Sequence, residues 1–240
     1  MAHVAPLPVC IPIAENALLV QWDNRIDPSL NDQVHSLYRS LSAMALPGLR
    51  DLVPAYASLA LVLDPDYFDR YLPGTDPLLV ARQWVEAAWQ APLPNDSGGV
   101  RTVEIPVCYE GAFAPDLEVL AEQSRMSAAA VVDAHVRQLY RVYMLGFLPG
   151  FAYMGMVDAC IAAPRLARPR ERVPAGSVGI AGQQTGIYPL ESPGGWKLIG
   201  RTPWRLFDPQ RPEPVLLRPG DRVRFRAISA DEFHQIEQTP

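Results

Sequence analysis

Apolar positions near the N-terminus change from a strand-like run to helical spacing. The stretch ALLVQW at 17–22 is short and mostly apolar, which is typical of a buried β-strand. The pair Asp27-Pro28 predicts a helix start, with Asp27 as N-cap and Pro28 in the first turn. Pro47-Gly48 ends the helix, and its apolar face is predicted to carry Leu30, Val34, Leu37, Leu41 and Met44.

Two more strands and a second helix are predicted before residue 91. Residues 49–53 and 58–63 are short apolar runs, and Asp64-Pro65 ends the second run. Asp76-Pro77 repeats the cap-and-proline pattern ahead of the amphipathic stretch LLVARQWVEAAWQ. The first part of the chain therefore has the predicted order β-α-β-β-α.

The segment APLPNDSGG at 91–99 has the composition of a linker, with prolines, glycines and small polar residues. We place a domain boundary there, which gives an N-terminal α/β domain at 1–96 and a second domain at 97–240. The strand-like run RTVEIPVCYE at 101–110 follows the linker. Its pattern allows it to pair with either domain.

The second domain begins with helices and ends in short β-type runs. Helices are predicted at 116–123 and 128–139, with Ser127 as the N-cap of the second, and a strand is predicted at 140–147. From Val173 onward, short β-type runs alternate with glycine and proline turns, without intervening helices. This pattern favours a small β-barrel or a β-sandwich.

Composition and charge exclude several classes of function. Hydrophobic residues make up 49% of the chain and charged residues 20%, as in soluble globular proteins. The net charge is −5, whereas a general nucleic-acid binder needs a basic surface, so this class is not expected. No apolar run approaches the ~20 residues that span a bilayer, and the three cysteines form no disulfide framework. We therefore expect a cytoplasmic protein with no nucleic-acid or membrane partner.

The glycine-rich stretch AGQQTGIYPLESPGGWKLIGRT at 181–202 suggests a phosphate loop, but its spacing excludes one. A Walker loop places lysine directly after the last glycine at a helix start. Here Trp196 separates Gly195 from Lys197, and a strand-like run follows. No dinucleotide fingerprint occurs either. The four histidines are never at ligand spacing, so no metal site is predicted.

Residue types alone leave two interpretations open at several places. His135 is either a core residue or a proton carrier. Phe147 and Phe151, in GFLPGF, either follow a strand as a turn or wall a cavity. The arginine cluster at 165–172 is either a solvated loop or a contact to an anion or a partner. Polar and aromatic residues in the glycine-rich stretch either fill turns or line a pocket: Gln183, Gln184, Thr185, Tyr188, Glu191, Ser192 and Trp196.

Five segments carry a resemblance to a known family. They are ENALLVQW, LPGLRDLVPAYASL, YRVYMLGFLPGFAYMG, the long string RVPAGSVGIAGQQTGIYPLESPGGWKLIGRTPWRLFDP, and LLRPGDRVRF. Through them the chain resembles the allophanate-hydrolase-subunit-1 family, which includes the B subunits of bacterial 5-oxoprolinase and a sporulation histidine-kinase inhibitor. The resemblance implies an α+β fold, in which an N-terminal α/β domain, here predicted to be ferredoxin-like, precedes a cyclophilin-like β-barrel.

The resemblance also implies a function. It points to a component of an ATP-dependent enzyme that opens the 5-oxoproline lactam to L-glutamate. Two partner subunits are implied, one a second cyclophilin-like module and the other of barrel type. ATP and magnesium are expected for the complex, and no cofactor for this chain alone. Two alternatives remain, a regulatory kinase inhibitor and an accessory half of a urea carboxylase or allophanate hydrolase.

Matching the family motifs residue by residue gives candidate site residues. His135 is the candidate for catalysis, since it precedes the YRVY strand as the family's histidine does. Gln183 stands where the family motif GGQTGIYP has its second glycine, a mild departure in the local backbone. The residues predicted to bind substrate or nucleotide are Phe147, Phe151, Arg168, Gln183, Gln184, Thr185, Tyr188, Lys197 and Arg201.

Overall fold

The computed structural model describes residues 7–91 and 101–238. The chain divides into two compact units, Met1–Ser97 and Gly98–Pro240. Helices, strands and a closed seven-stranded barrel make the fold a mixed α/β one. The predicted boundary between residues 96 and 97, and all of the predicted linker except Ala91, lie outside the described residues.

The first unit is an antiparallel sheet with three helices. Its elements are β1 (Val9–Ala14), β2 (Ala17–Gln21), α1 (Pro28–Ser42), β3 (Leu49–Pro54), β4 (Ser58–Leu63), α2 (Pro65–Tyr71) and α3 (Pro77–Gln90). The strand order is β1-β2-β4-β3, so two hairpins lie side by side. Fully buried Leu18, Leu59 and Leu61 belong to the core of this unit, together with side chains of the helices.

Each of these three helices begins at an Asp-Pro pair. The aspartate side chain accepts a hydrogen bond from a backbone N–H of the first turn at Asp27, Asp64 and Asp76. The predicted starts of α1 and α3 are confirmed. At Asp64-Pro65 the sequence predicts only a strand end, whereas the structure shows that the same pair also begins α2.

Strand β1 begins the first unit, and the run at 101–110 belongs to the second. Strand β1 is not predicted, because Pro12 interrupts its run and its apolar side chains Val9, Ile11 and Ile13 are exposed at an edge. The run at 101–110 forms β5 (Thr102–Cys108), which pairs with strands of the second unit. The ferredoxin-like assignment of the first unit stays a prediction.

Seven strands close a barrel in the second unit, which decides between the barrel and the sandwich. Besides β5 they are β6 (Leu139–Leu145), β7 (Ala152–Gly155), β9 (Ser177–Ala181), β10 (Gln184–Ile187), β12 (Lys197–Arg201) and β13 (Arg222–Ile228). The order around the barrel is β10-β7-β6-β13-β5-β12-β9. A separate two-stranded sheet joins β8 (Arg170–Val173) to β11 (Ser192–Gly194).

Three helices accompany the barrel: α4 (Leu117–Ser124), α5 (Ala128–Arg137) and α6 (Ala230–Gln238). The first two are predicted to within two residues, and Ser127 accepts a hydrogen bond from the Ala130 N–H as the N-cap of α5. Helix α6 is not predicted. Its signal is a capping sequence, in which the Ser229 hydroxyl accepts from the N–H of Glu232 three residues later.

A chain of hydrogen bonds crosses the barrel interior through His135, which is 0% exposed. The Nδ1 atom lies 2.8 Å from the Tyr109 hydroxyl, and Nε2 lies 3.0 Å from the Thr185 hydroxyl. Thr185 donates its single hydroxyl proton to the Gly179 carbonyl at 3.1 Å, so it accepts from the imidazole. His135 is therefore neutral, with its proton on Nε2, and Tyr109 donates to Nδ1.

Aromatic packing also holds the imidazole. Phe225 stacks on it with ring centroids 4.6 Å apart, and Tyr140 donates its hydroxyl to the His135 carbonyl at 3.0 Å. Burial lowers the pKa of His135 from 6.5 to about 3. This placement is that of a core residue, one of the two interpretations left open by the sequence. A catalytic role for His135 stays a prediction.

We predict that His135 makes stability depend on pH. In the unfolded chain, His135 binds a proton below about pH 6.5. In the folded barrel, its pKa of about 3 keeps it neutral until the pH is much lower. The free energy of unfolding should therefore fall with decreasing pH in this window, by about 1.4 kcal/mol per pH unit. Chemical denaturation between pH 6.5 and 5 measures the slope. The His135→Gln variant should lose the contribution of His135 to this slope. The His234→Gln variant, changed at an exposed position on α6, should keep the wild-type slope. Equal slopes in wild type and His135→Gln would contradict the prediction.

Candidate functional site

Aromatic side chains of the second unit converge on a small cavity. Its volume is about 210 Å³. Phe151 is buried at its base and makes edge-to-face contacts with Tyr188 at 5.2 Å and Trp196 at 5.5 Å between centroids. Pockets for drug-sized ligands begin at about 300 Å³, so this cavity suits a ligand with one small ring. We call it the aromatic cavity, after the rings that line it: Phe147, Phe151, Tyr153, Tyr188 and Trp196.

The loop between β6 and β7 supplies one wall of the aromatic cavity. It is closed by the Gly146 N–H, which donates to the Phe151 carbonyl at 3.1 Å. Phe147 has a φ of +68°, a left-handed conformation that is uncommon for a large side chain. The same residue is 61% exposed, so its ring stands at the mouth of the cavity and not in the core. The backbone is thus held in an unfavourable conformation at a residue that packs little, which is typical of functional loops.

The opposite wall depends on Gly194, the last residue of β11. A Cβ atom at Gly194 would lie 2.4 Å from the Tyr188 hydroxyl, so only glycine lets the phenol take its position. The phenol hydroxyl of Tyr188 at this wall can donate its proton to a bound ligand.

Positive charge dominates the surroundings of the aromatic cavity. Arg165 lines it, with the guanidinium carbon 6.0 Å from the centroid of the Trp196 ring. Burial raises the pKa of the Tyr188 phenol, while the Trp196 N–H and the charges of Arg165 and Arg170 lower it. Burial likewise raises the pKa of Tyr153, and Arg165 lowers it. Among the described residues, none that lines the cavity is acidic.

An ion pair anchors the strand beside the cavity. Asp116, at the start of α4, accepts from Arg170 Nη2 at 2.6 Å and from the Leu198 N–H at 2.6 Å. The Asp116 N–H in turn donates to the Leu198 carbonyl at 2.9 Å. These bonds tie α4, β8 and β12 together. Pro169, which precedes Arg170, is thereby held in the cavity wall.

The structure brings three of the predicted site residues together and separates the others. Phe147, Phe151 and Tyr188 line the aromatic cavity. Thr185 and His135 lie in the barrel interior, bonded to each other.

The remaining candidates line neither the aromatic cavity nor the barrel interior. Lys197 is buried and donates to Gln123 Oε1 at 2.6 Å. Arg168 and Gln183 are exposed, and Gln184 is half-buried at the start of β10. Arg201 donates to the Ala175 carbonyl at 2.8 Å in a different recess.

The arginines of the predicted cluster lie in different surroundings, and their role in anion or partner contact stays a prediction. Arg165 lines the cavity, and Arg170 is engaged by Asp116. Arg172 pairs with Glu191 on the surface, at 2.8 Å. Tyr153 is the ring that sequence reasoning misses. It lies two residues after Phe151 in an extended segment, and this alternation places both on one face.

A larger groove of about 870 Å³ lies elsewhere in the second unit. Its wall includes Trp204 and Arg205, and it shares both with the recess that contains Arg201. Arg211 in this groove is paired with Asp208 at 3.5 Å, so the charges there offset one another. We regard the smaller aromatic cavity as the better ligand site, because its positive charge has no acidic counterpart among the described residues of the wall.

Two further properties concern metals and membranes. Within residues 7–91 and 101–238, no group of three or more His, Cys, Asp or Glu side chains is arranged to hold a metal ion. None of the helices in these ranges combines the length and apolarity needed to cross a bilayer.

Comparison with known proteins gives consistent matches over nearly the whole chain. Residues 8–217 match the family model described as carboxyltransferase domain, subdomain C and D. The chain is 40% identical over 228 residues to the B subunit of 5-oxoprolinase from Bacillus subtilis strain 168, covering 94% of this chain and 95% of that protein. It is 40% identical over 217 residues to the corresponding B subunit from Escherichia coli O157:H7, covering 90% and 94%.

Two further matches cover only part of the other protein. A urea amidolyase of Lachancea kluyveri is 38% identical over only 68 residues, which is 26% of this chain and 4% of that protein. The crystal structure of TTHA0988 superposes with a TM-score of 0.75 at 39% identity, over 89% of this chain and 40% of that one. This chain therefore spans less than half the length of TTHA0988. The matched residues and their identity confirm the resemblance found in the sequence: the chain belongs to the carboxyltransferase-domain family of subdomains C and D, with the B subunits of bacterial 5-oxoprolinase.

Proposed function

We propose that this chain is the B subunit of an ATP-dependent 5-oxoprolinase, a hydrolase that opens the 5-oxoproline lactam to L-glutamate. The similarity to two proteins of that name over at least 90% of the chain supports the proposal. The observation that carries it at the level of the site is the aromatic cavity, whose 210 Å³ suits a single five-membered ring.

The proposal includes the architecture and partners of the complex. We propose a ferredoxin-like first unit and a cyclophilin-like barrel. We also propose a second cyclophilin-like subunit and a barrel-type subunit as partners in the cytoplasm, with this chain inactive alone. The closed seven-stranded barrel supports the cyclophilin-like assignment. The lower identity and short span of the urea amidolyase match make the urea carboxylase alternative weaker.

In this proposal the chain binds and orients the lactam. The rings of Phe151 and Trp196 exclude water from its apolar face, and Tyr188 donates a hydrogen bond. ATP with magnesium supplies activation of the lactam carbonyl in the complete complex. The predicted basic residues do not converge on one phosphate cradle, because Lys197 is buried and bonded to Gln123 while Arg201 lies in a different recess. We therefore assign no nucleotide step to this chain.

Reconstitution tests the proposed function. The purified chain, mixed with a second cyclophilin-like subunit and a barrel-type subunit, should release L-glutamate from 5-oxoproline only when ATP and magnesium are present. Chain or partners alone should release none. Glutamate is measured with a coupled dehydrogenase assay. If size-exclusion chromatography verifies assembly of the complex and the complex releases no L-glutamate, the proposal is wrong.

Two substitutions at Phe147 distinguish the effect of its ring on ligand binding from the effect of its backbone conformation on stability. Phe147→Ala and Phe147→Gly both remove the ring at the cavity mouth, so both should raise the KM for 5-oxoproline about three- to tenfold. The glycine variant also relieves the left-handed backbone at φ +68° and should be more stable than the alanine variant by about 1 kcal/mol. Steady-state kinetics of the complex and chemical denaturation of the chain measure the two effects. A wild-type KM in both variants would remove this loop from the site.

A further inference from the structure

Among the described residues, Arg165 and Arg168 have no acidic partner, unlike Arg170 and Arg172, and of these two only Arg165 lines the aromatic cavity. Arg170 is paired with Asp116, and Arg172 with Glu191. Within the part of the chain that the structure describes, no carboxylate pairs with Arg165, and its guanidinium faces the ring of Trp196. A guanidinium that stacks on a ring keeps its N–H groups directed outward in the plane, available to an anion.

A second cation beside the aromatic cavity has an unused donor. Arg170 uses Nη2 on Asp116, whereas its Nη1 is buried with no hydrogen-bond partner among the described residues. Arg170 is paired across the two-stranded sheet with Gly194, which lines the cavity. Arg165 therefore lines a space whose described walls hold no acidic side chain, and the charge of Arg170 acts on Tyr188 in the same wall, so the charge balance favours an anionic ligand.

The walls restrict what else that ligand can be. Phe151, Tyr153 and Trp196 line the cavity with aromatic side chains, which favours a flat, uncharged ring as the ligand. The Tyr188 hydroxyl lies in the same wall and is a donor for a carbonyl or carboxylate oxygen. Apolar walls, one phenolic donor and a guanidinium at the edge together match a small planar ring that bears one carboxylate.

We propose that Arg165 is the specificity-determining residue of the aromatic cavity and binds the carboxylate of a small cyclic amide whose ring lies against Trp196. The identity of the amide as 5-oxoproline rests on the proposed function. The carboxylate and Arg165 form a charge-assisted pair, with the planar fork of the guanidinium matching the two carboxylate oxygens. This subunit thereby contributes substrate recognition, and not only a scaffold, to the complex.

The proposal predicts discrimination between similar rings. The ligand 2-pyrrolidinone has the same lactam but no carboxylate, so it lacks the partner for Arg165. L-Proline has the ring and the carboxylate, but its protonated amine brings a positive charge close to Arg165 and it lacks the amide carbonyl. Both should bind more weakly than 5-oxoproline, 2-pyrrolidinone by about tenfold or more for the lost charged hydrogen bonds and L-proline because of the repulsion between like charges.

Titration of the full chain tests these differences directly. Isothermal titration calorimetry, with ligand-observed NMR for weak binding, gives the Kd of 5-oxoproline, 2-pyrrolidinone and L-proline. Arg165→Gln should weaken 5-oxoproline binding about tenfold or more and leave 2-pyrrolidinone unchanged. The matched control is Arg172→Gln, whose exposed arginine pairs with Glu191 away from the cavity wall and which should retain wild-type binding. Equal loss in both variants, or equal affinity for the two lactams in the wild type, would overturn the proposal.

The complete complex supplies a second readout. Arg165→Gln should raise the KM for 5-oxoproline about tenfold or more, with the KM for ATP unchanged. An active wild-type complex with an unaltered KM in Arg165→Gln overturns the role of Arg165 and leaves the proposed function standing. An inactive wild-type complex together with Arg165-dependent binding of 5-oxoproline to the chain overturns the proposed function and leaves the carboxylate site standing. If neither the chain nor the complex binds 5-oxoproline, the Arg165 proposal is wrong.

Discussion

A neutral imidazole at the centre of the barrel is the contact on which the second unit depends most. His135 joins α5 to Tyr109, at the end of β5, and to Thr185 on β10, and Thr185 continues the hydrogen bonds to Gly179 on β9. Each of these side-chain polar atoms has a partner inside an apolar core, so loss of one leaves another buried and unsatisfied. The interaction joins β5 to β10 across the barrel interior, although these strands are not neighbours in the barrel, and the histidine is buried there.

Segments next to the barrel strands form the walls of the aromatic cavity. Tyr188 directly follows β10, and Trp196 directly precedes β12. Asp116 adds a second clamp, because its carboxylate holds both Arg170 and the Leu198 backbone. A rigid barrel on one side and an ion pair on the other thus position flat rings and cations around a small space. The chemistry of the proposed site is consequently a matter of binding and orientation.

The sequence predicts those parts of the structure that local interactions decide. The starts of α1, α3 and α5 follow from short-range caps, which are visible in the residues themselves. Barrel closure, the partners of His135 and the meeting of Tyr153 with Arg165 depend on contacts between distant segments, which spacing does not encode. Family resemblance identified the loops that carry Phe147 and Tyr188. It did not distinguish Arg165, which lines the cavity, from Arg168, which does not, although both side chains are exposed.

The central claim is that the aromatic cavity, and not the larger groove beside Trp204, is the ligand site. Each location contains one tryptophan, so ¹⁵N-labelled indole signals report on both in one titration. Signals are assigned with Trp196→Phe and Trp204→Phe variants, and 5-oxoproline is then added to the wild-type chain. We expect the Trp196 signal to shift in a saturable manner while the Trp204 signal stays in place. A saturable shift of Trp204 with an unmoved Trp196 would contradict the account.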